Sequence, residues 1–283
     1  MARVSRIVLE KPPAADPCPG LVVERNEDGL GVGDWVPNTK HRLLSQYIDA
    51  AWAPARSFKS WVLLDPFCGP GRIGVKGEAD RTRPGGTAIA WAQSVASGTP
   101  FGKILVGDLS EEKVAACAAR LRAAGAPVEA FPGAAVQTVK RMVRAVPDGA
   151  LCLAYIDPYD LRFLDFEILE TLASLRNVDF VVNFFTSDMR RNIDKAGRFD
   201  EVSPGWRDRV RADLNKGSEA AALFADWRDQ VAGLKFQFSK AMPTVKNSKN
   251  SEMYKLVFFA RHELPNKLWK DVAGDRTADL FAD

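Results

Sequence analysis

Cysteine, histidine and long apolar runs are what this sequence is short of. Cys18, Cys68, Cys117 and Cys152 are scattered over 283 residues and form no CxxC pair. That spacing argues against a zinc knuckle and against a disulfide framework, and it suits reduced thiols in a cytoplasmic protein. His41 and His262 each stand alone, so no metal site is expected. No stretch approaches the roughly 18 apolar residues of a membrane span. The apolar Ile7-Val8-Leu9 runs into Glu10, Lys11 and two prolines, without a signal-peptide cleavage site. Strong charge imbalance is missing too. A net charge of +3 neither demands nor excludes a nucleic-acid partner.

What is present is an alternation of short apolar runs and helical patterns. Residues 1–35 are rich in Pro, Gly and charge and read as an irregular arm, with one short strand at 21–24. A methyltransferase-like domain follows over 36–283. Its first helix runs from 40 to about 52, capped by Asn38 or Thr39 and ended by Pro54, with Leu43, Leu44, Tyr47, Ile48, Ala51 and Trp52 on one face. Strands are expected at 60–65, 103–108, 128–131, 150–157 and 178–185. Their continuous apolar character suits a parallel sheet covered on both faces. Residues 66–77 read as loop. Helices are expected at 88–96, 110–124 (capped by Ser110), 134–145 and 166–175. From about 186 to 232 the alternation gives way to a charged helical insertion. Strands near 234–240 and 253–260 close the pattern. Strands alternating with helices predict right-handed crossovers in an α/β Rossmann-like sheet. Five βα units and a terminal hairpin form the class I methyltransferase variant: seven strands, mostly parallel, the last antiparallel.

The first strand ends in Asp65-Pro66-Phe67-Cys68-Gly69-Pro70-Gly71. An acid, a glycine turn and a helix make a ligand crevice at the carboxyl ends of such strands. The dinucleotide fingerprint fits poorly, because the glycines read Gly69-x-Gly71-x-x-Gly74. Asp/Glu-x-Phe-x-Gly-x-Gly is instead the form that binds S-adenosylmethionine (SAM). Asp65 can accept from a ligand amine or order the loop. Phe67, Gly69 and Gly71 belong to the same turn. Asp108, followed by Leu109, ends the second strand. It can hold ribose hydroxyls, cap the next helix, or do both. The charged segment 72–83 could form a lid. Phe131 and the backbone after the third strand are the candidates for adenine.

The fourth strand ends in Asp157-Pro158-Tyr159-Asp160. This resembles the Asp-Pro-Pro-Tyr motif of nucleobase amino-methyltransferases, with one proline missing. There the acid holds the target amine and the aromatic ring stacks on the flipped base. The alternative is an acidic turn in which Asp157 orders the loop and binds the cofactor by touching SAM's methionine end. Asn183 points either to the crevice edge or into the core.

Several segments together resemble the three-Cys-motif partner protein (TcmP) family. They are Asn38-Thr39-Lys40-His41-Arg42-Leu43-Leu44-x-x-Tyr47, Asp65 to Arg72, Gly85-Gly86-Thr87-Ala88, Tyr155 to Tyr159, Asn183-Phe184-Phe185 and Met253 to His262. The resemblance implies a SAM-methyltransferase fold with Lys40 and His41 over the SAM pocket. The residues alone read Lys40 and His41 as a solvated helix start. The resemblance also implies a partner carrying a three-cysteine motif, of the kind that suggests a radical-SAM iron–sulfur enzyme. The additional C-terminal DNA-binding-like module of some relatives is not expected here.

Basic residues cluster at 72–83, 190–198, 207–216 and 240–255. Arg190 and Arg191 with their neighbours could track phosphates, and Phe184, Phe185, Trp206 and Trp227 could stack bases. Interspersed acids support a solvated helical face instead. The expectation is therefore a SAM-dependent methyltransferase acting on an amino nitrogen of a nucleobase, through Asp157 and Tyr159. Its rivals are an accessory partner subunit and a hydrolase using Asp65 and Asp157 on a divalent metal.

Overall fold

Strands buried on both faces fix this architecture. The computed structural model describes residues 7–8, 15–26, 29–78, 81–210 and 215–274. Val36–His41 winds as one π-helical turn and runs straight into α1 (Arg42–Ala55). Then come β1 (Trp61–Asp65), β2 (Arg72–Gly74), β3 (Thr82–Pro84), α2 (Gly86–Ala96), β4 (Lys103–Asp108) and α3 (Glu111–Ala123). Next are β5 (Val128–Pro132), α4 (Ala135–Ala145), β6 (Leu151–Ile156), α5 (Phe166–Ala173) and β7 (Val178–Phe184). The chain continues through α6 (Thr186–Asn192), α7 (Trp206–Arg209), α8 (Lys216–Gly233), β8 (Gln237–Phe238), β9 (Thr244–Lys246), β10 (Glu252–Ala260) and α9 (Glu263–Gly274).

The main sheet has the order β5-β4-β1-β6-β7-β10-β8, with β9 paired on β10. The five strands from β5 to β7 are parallel, and β10 runs antiparallel to β7. This is the Rossmann-like methyltransferase sheet, with one short extra strand. From β1 the chain builds outward first through β4 and β5, then through β6 and β7. The switch in direction opens a crevice at the carboxyl ends of β1, β4 and β6.

Successive residues of a strand face opposite sides. Val62 and Leu64 of β1, with Cys152, Ala154 and Ile156 of β6, join a core with α4, α5 and the helices after β7. Trp61 and Leu63, with Leu151, Leu153 and Tyr155, join a second core with α1, α2, α3 and α9. Both faces being covered accounts for the unbroken apolar runs.

Several boundaries depart from the sequence expectation. Asn38 and Thr39 lie inside the helical turn, and no side chain caps it. Pro54 sits within the last turn of α1 rather than beyond it. The segment expected as a lid is largely a β2–β3 hairpin. The expected strand at 21–24 is a single bridge, Glu24 to Ile73, and Val32 bridges to Val75 further along. The strand expected at 234–240 is two residues long. Lys235 turns the chain there with a φ of 69°. Helix α9 is an addition. Its Trp269 stacks on Phe258 and meets the edge of Tyr47, so the last helix seals the first.

Candidate functional site

The glycine turn after β1 is held from both sides by carboxylates. Phe67 N donates to Asp65 Oδ1 at 3.1 Å, and the Thr87 hydroxyl donates to Asp65 Oδ2. Gly69 N donates to Asp108 Oδ2 at 3.1 Å, while Ser110 N donates to Asp108 Oδ1 at 2.8 Å. Asp108 thus fastens the loop and the start of α3 together, while Ser110 itself accepts from Lys113 N as the helix cap. Gly69 and Gly71 have φ of +55° and +73°, where a side chain would be strained. A Cβ on Gly71 would come within 3.1 Å of Cys117. Gly85 N donates to Gly71 O at 2.9 Å, so the start of α2 closes the floor of the turn. Burial pushes the Asp65 carboxyl up to about 7, with the nearby Asp157 and Asp108 charges adding to the rise against the Thr87 and Phe67 hydrogen bonds.

The second centre is Asp157, just past β6. Lys40 Nζ donates to Asp157 Oδ2 at 2.6 Å and Tyr155 Oη donates to it at 3.1 Å. Asn183 Nδ2 donates to Oδ1 at 2.8 Å. Burial alone would raise this carboxyl, but Lys40 and the Asn183 hydrogen bond hold it below the usual carboxylate range. Lys40 also lies 5.7 Å from the Tyr254 ring centroid, a cation–π contact. His41 is buried, and burial with the neighbouring Lys40 charge lowers it to about 3, so its imidazole stays neutral. His41 Nδ1, Asn183 Oδ1 and Tyr254 Oη are buried without a protein hydrogen-bond partner. Each would be satisfied by a polar ligand. Among the described residues no group of three or more His, Cys, Asp or Glu side chains could hold a metal ion.

No family model and no curated protein sequence matches the chain. Solved structures do resemble it in path. An O-methyltransferase from Bacillus cereus in complex with SAH matches at 14% identity and a TM-score of 0.43, over 78% of this chain and 80% of that one. A Legionella pneumophila protein matches at 11% identity and a TM-score of 0.47, over 83% of this chain and 90% of that one. TrmN from Thermus thermophilus matches at 14% identity and 0.37, over 75% of this chain and 47% of that one. The fold assignment itself rests on the strand order and register above.

The structure brings most sequence-selected residues to one edge. Asp65, Phe67, Gly69, Gly71, Asp108, Asp157, Lys40, His41 and Asn183 line the carboxyl ends of the central strands. Lys40 and His41 are buried rather than solvated, which corrects the reading from the residues alone. Asn183 faces the crevice through Asp157. Leu109 and Tyr159 are 72% and 65% exposed beside the turn and beside Asp157. Phe131 is a core side chain packed with Val139 and Met142, its ring 5.6 Å from the Arg141 guanidinium. Only the backbone after β5 remains for a ligand there.

The basic and aromatic candidates of the insertion fare differently. Phe184, Trp206 and Trp227 are core residues, so they stack on no base. Phe185 is partly buried against Tyr254. Arg190 pairs with Glu252 at 3.1 Å, and Arg191 Nε donates to Ser187 O. Arg198 pairs with Asp160 and Asp188, Arg207 with Glu219, and Arg209 with Asp226. Of the cluster at 207–216, residues 211–214 and the Lys216 side chain lie outside the described residues. No described helix is long and apolar enough to cross a membrane.

Thr87, Tyr155 and Tyr254 join the site without being marked as site residues by the sequence. Thr87 follows two glycines at a helix start, and the two tyrosines lie in the apolar strands β6 and β10. Thr87 and Tyr254 meet Asp65 and Lys40 across the fold and leave no local pattern, whereas Tyr155 lies two residues before Asp157 at the end of β6, a spacing that puts both side chains on one face.

Proposed function

We propose that this protein is a SAM-dependent methyltransferase acting on an amino nitrogen of a nucleobase in DNA or RNA. The supporting observation is one glycine turn fixed between Asp65 and Asp108 at the carboxyl ends of adjacent parallel strands. The donor set suits SAM. Asp65 would accept from its α-ammonium and Asp108 from its ribose hydroxyls. Exposed Leu109 would cover the adenine face, and Gly69 and Gly71 admit the close approach of backbone. SAM bound there supplies an electrophilic methyl group. The protein would hold the acceptor nitrogen in line with it. Tyr159, exposed beside Asp157, would stack on the base, while Asn183 Oδ1 offers an unused acceptor for the amine. Arg190 and Arg191 would meet the nucleic-acid backbone at the rim.

A second reading is favoured by one contact set. Both Asp157 oxygens already accept from Lys40, Tyr155 and Asn183. An accessory subunit of the three-Cys-motif partner kind, binding SAM without turnover and working beside a radical-SAM-like protein, needs no free Asp157.

Calorimetry with S-adenosylhomocysteine (SAH) and transfer of labelled methyl from SAM to RNA and DNA test both. SAH binding is expected to weaken about tenfold or more in Asp108→Ala, which loses a charged acceptor worth ~1.5–3 kcal/mol. Label transfer should be lost in Asp157→Asn and Tyr159→Ala with SAH affinity kept. No SAH binding by the unaltered chain would sink both readings. Binding without transfer to any nucleic acid would leave the accessory one.

A further inference from the structure

Residues 16–26 and 29–32, near the N-terminus, cross the outside of the glycine turn. A first tie to the body is a buried side chain of α3, Arg120, only 3% exposed. Arg120 Nε and Nη2 donate to the two oxygens of Asp16 at 2.9 and 2.7 Å. Nη2 also donates to Leu21 O at 3.2 Å, and Nη1 to Val22 O at 2.8 Å. Nη1 donates as well to Pro70 O at 2.7 Å, in the centre of the turn between Gly69 and Gly71. One guanidinium therefore fastens the segment and the turn to the same point.

The backbone adds a second tie. Glu24 N donates to Arg72 O, Gly74 N to Glu24 O and Val32 N to Gly74 O, each at 2.8 Å. Gly31 passes so close that a Cβ there would lie 2.6 Å from Gly74 O. Between the ties, the Glu24 carboxylate lies over the turn. Its Oε2 would be 3.5 Å from a Cβ on Gly69, and it accepts from Lys113 Nζ at 2.8 Å. Burial opposes the Lys113 ammonium form, but the Glu24 carboxylate, with Asp108 adding to it, raises the lysine above its usual range.

We infer that residues 16–26 and 29–32 are a strap that forms the outer wall of the cofactor pocket, with Arg120 as the positioning residue that locks the strap to the glycine turn. The inference rests on the reading of that turn as the SAM site. Glu24 holds Lys113 beside Asp108, at the place assigned to the ribose. A lysine at position 120 could keep the charge but not the planar five-donor fork.

The test uses the full chain, with Asp16→Asn, Arg120→Lys and Glu24→Gln, read by two measurements. Amide hydrogen exchange of residues 67–74 is followed without ligand, and SAH affinity by calorimetry. Exchange in the turn is expected to rise about tenfold or more in Asp16→Asn and Arg120→Lys, and SAH affinity to fall by a similar factor. Asp16→Asn keeps the buried guanidinium and guards against a variant that merely misfolds. Unchanged exchange and affinity in a folded Asp16→Asn protein, with the unaltered chain binding SAH, would overturn the strap and leave the SAM reading intact. Raised exchange in a chain that never binds SAH would support the tie between strap and turn while removing its role in a SAM pocket. A loss of affinity in Glu24→Gln, with exchange unchanged, would support the assigned place of Glu24 and Lys113.

Discussion

Asp65 carries the chemistry at the scale of one residue. Its carboxyl is neutral over much of the range below pH 7 because burial outweighs the bonds from Thr87 and Phe67. A ligand ammonium would favour the carboxylate and expel the proton. SAH affinity is therefore expected to increase as pH rises through about 7 and then level off. Titrations at pH ~6.5 in two buffers of different ionisation enthalpy should show proton release on binding. Asp65→Asn should abolish that release, and binding with no proton exchange would leave Asp65 as a loop residue only. Lys40 shows what local sequence cannot convey. Its burial comes from Asp157, which lies 117 positions away, so neither its spacing nor its neighbours mark it as anything but a solvated helix start.

At the scale of elements, legibility follows locality. β1 and β6 were readable because burial on both faces writes an apolar run into consecutive residues. The glycine turn was readable because positive φ demands glycine at fixed positions. The strap was not readable. Arg120 binds it through Asp16, 104 positions away, and through the carbonyl oxygens of Leu21 and Val22, which any residue carries. Another such device is Arg261, just beyond β10. Its guanidinium donates to Leu175 O at 2.7 Å and to Ala173 O, satisfying carbonyls left open at the end of α5. Arg261→Gln is expected to destabilise the protein by ~1–3 kcal/mol, because those acceptors lose a charged partner. A urea midpoint unchanged from the parent would contradict this.

For the whole molecule, two buried acids set the response to pH. Asp65 and Asp179 are both raised to about 7 by burial, and Asp179 accepts from Tyr47 Oη at 2.8 Å on the second core. Each folded carboxyl keeps a proton that the unfolded chain releases near pH ~4. Folding stability is then fully supplied below that value and is lost as pH climbs through about 7. Asp157 and Asp226, held low, act in the opposite sense at acid pH, and buried His41, lowered to about 3, offsets part of the fall between pH ~5 and ~7, because only the unfolded imidazole takes up a proton there. Urea unfolding between pH ~5 and ~7 should show falling stability, with a shallower slope in Asp179→Asn. A slope unchanged in Asp179→Asn would mean that this carboxyl is ionised in the folded protein. The strand order was legible at this scale because the alternation of elements admits few topologies. The insertion's interior was not. Trp206 and Trp227 looked like surface aromatics until the fold placed them in the core.

The position of β10 has a consequence in time. It is the last long strand in chain order, yet it lies between β7 and β8 and pairs with six residues of β7 from Asp179 to Phe184. A growing chain therefore carries a finished parallel sheet with an open apolar edge at Phe180 and Val182 until residue 260 has left the ribosome. Such an edge invites pairing with another chain. Aggregation during synthesis should thus be governed less by the stability of the finished protein than by how fast residues 185–260 are translated.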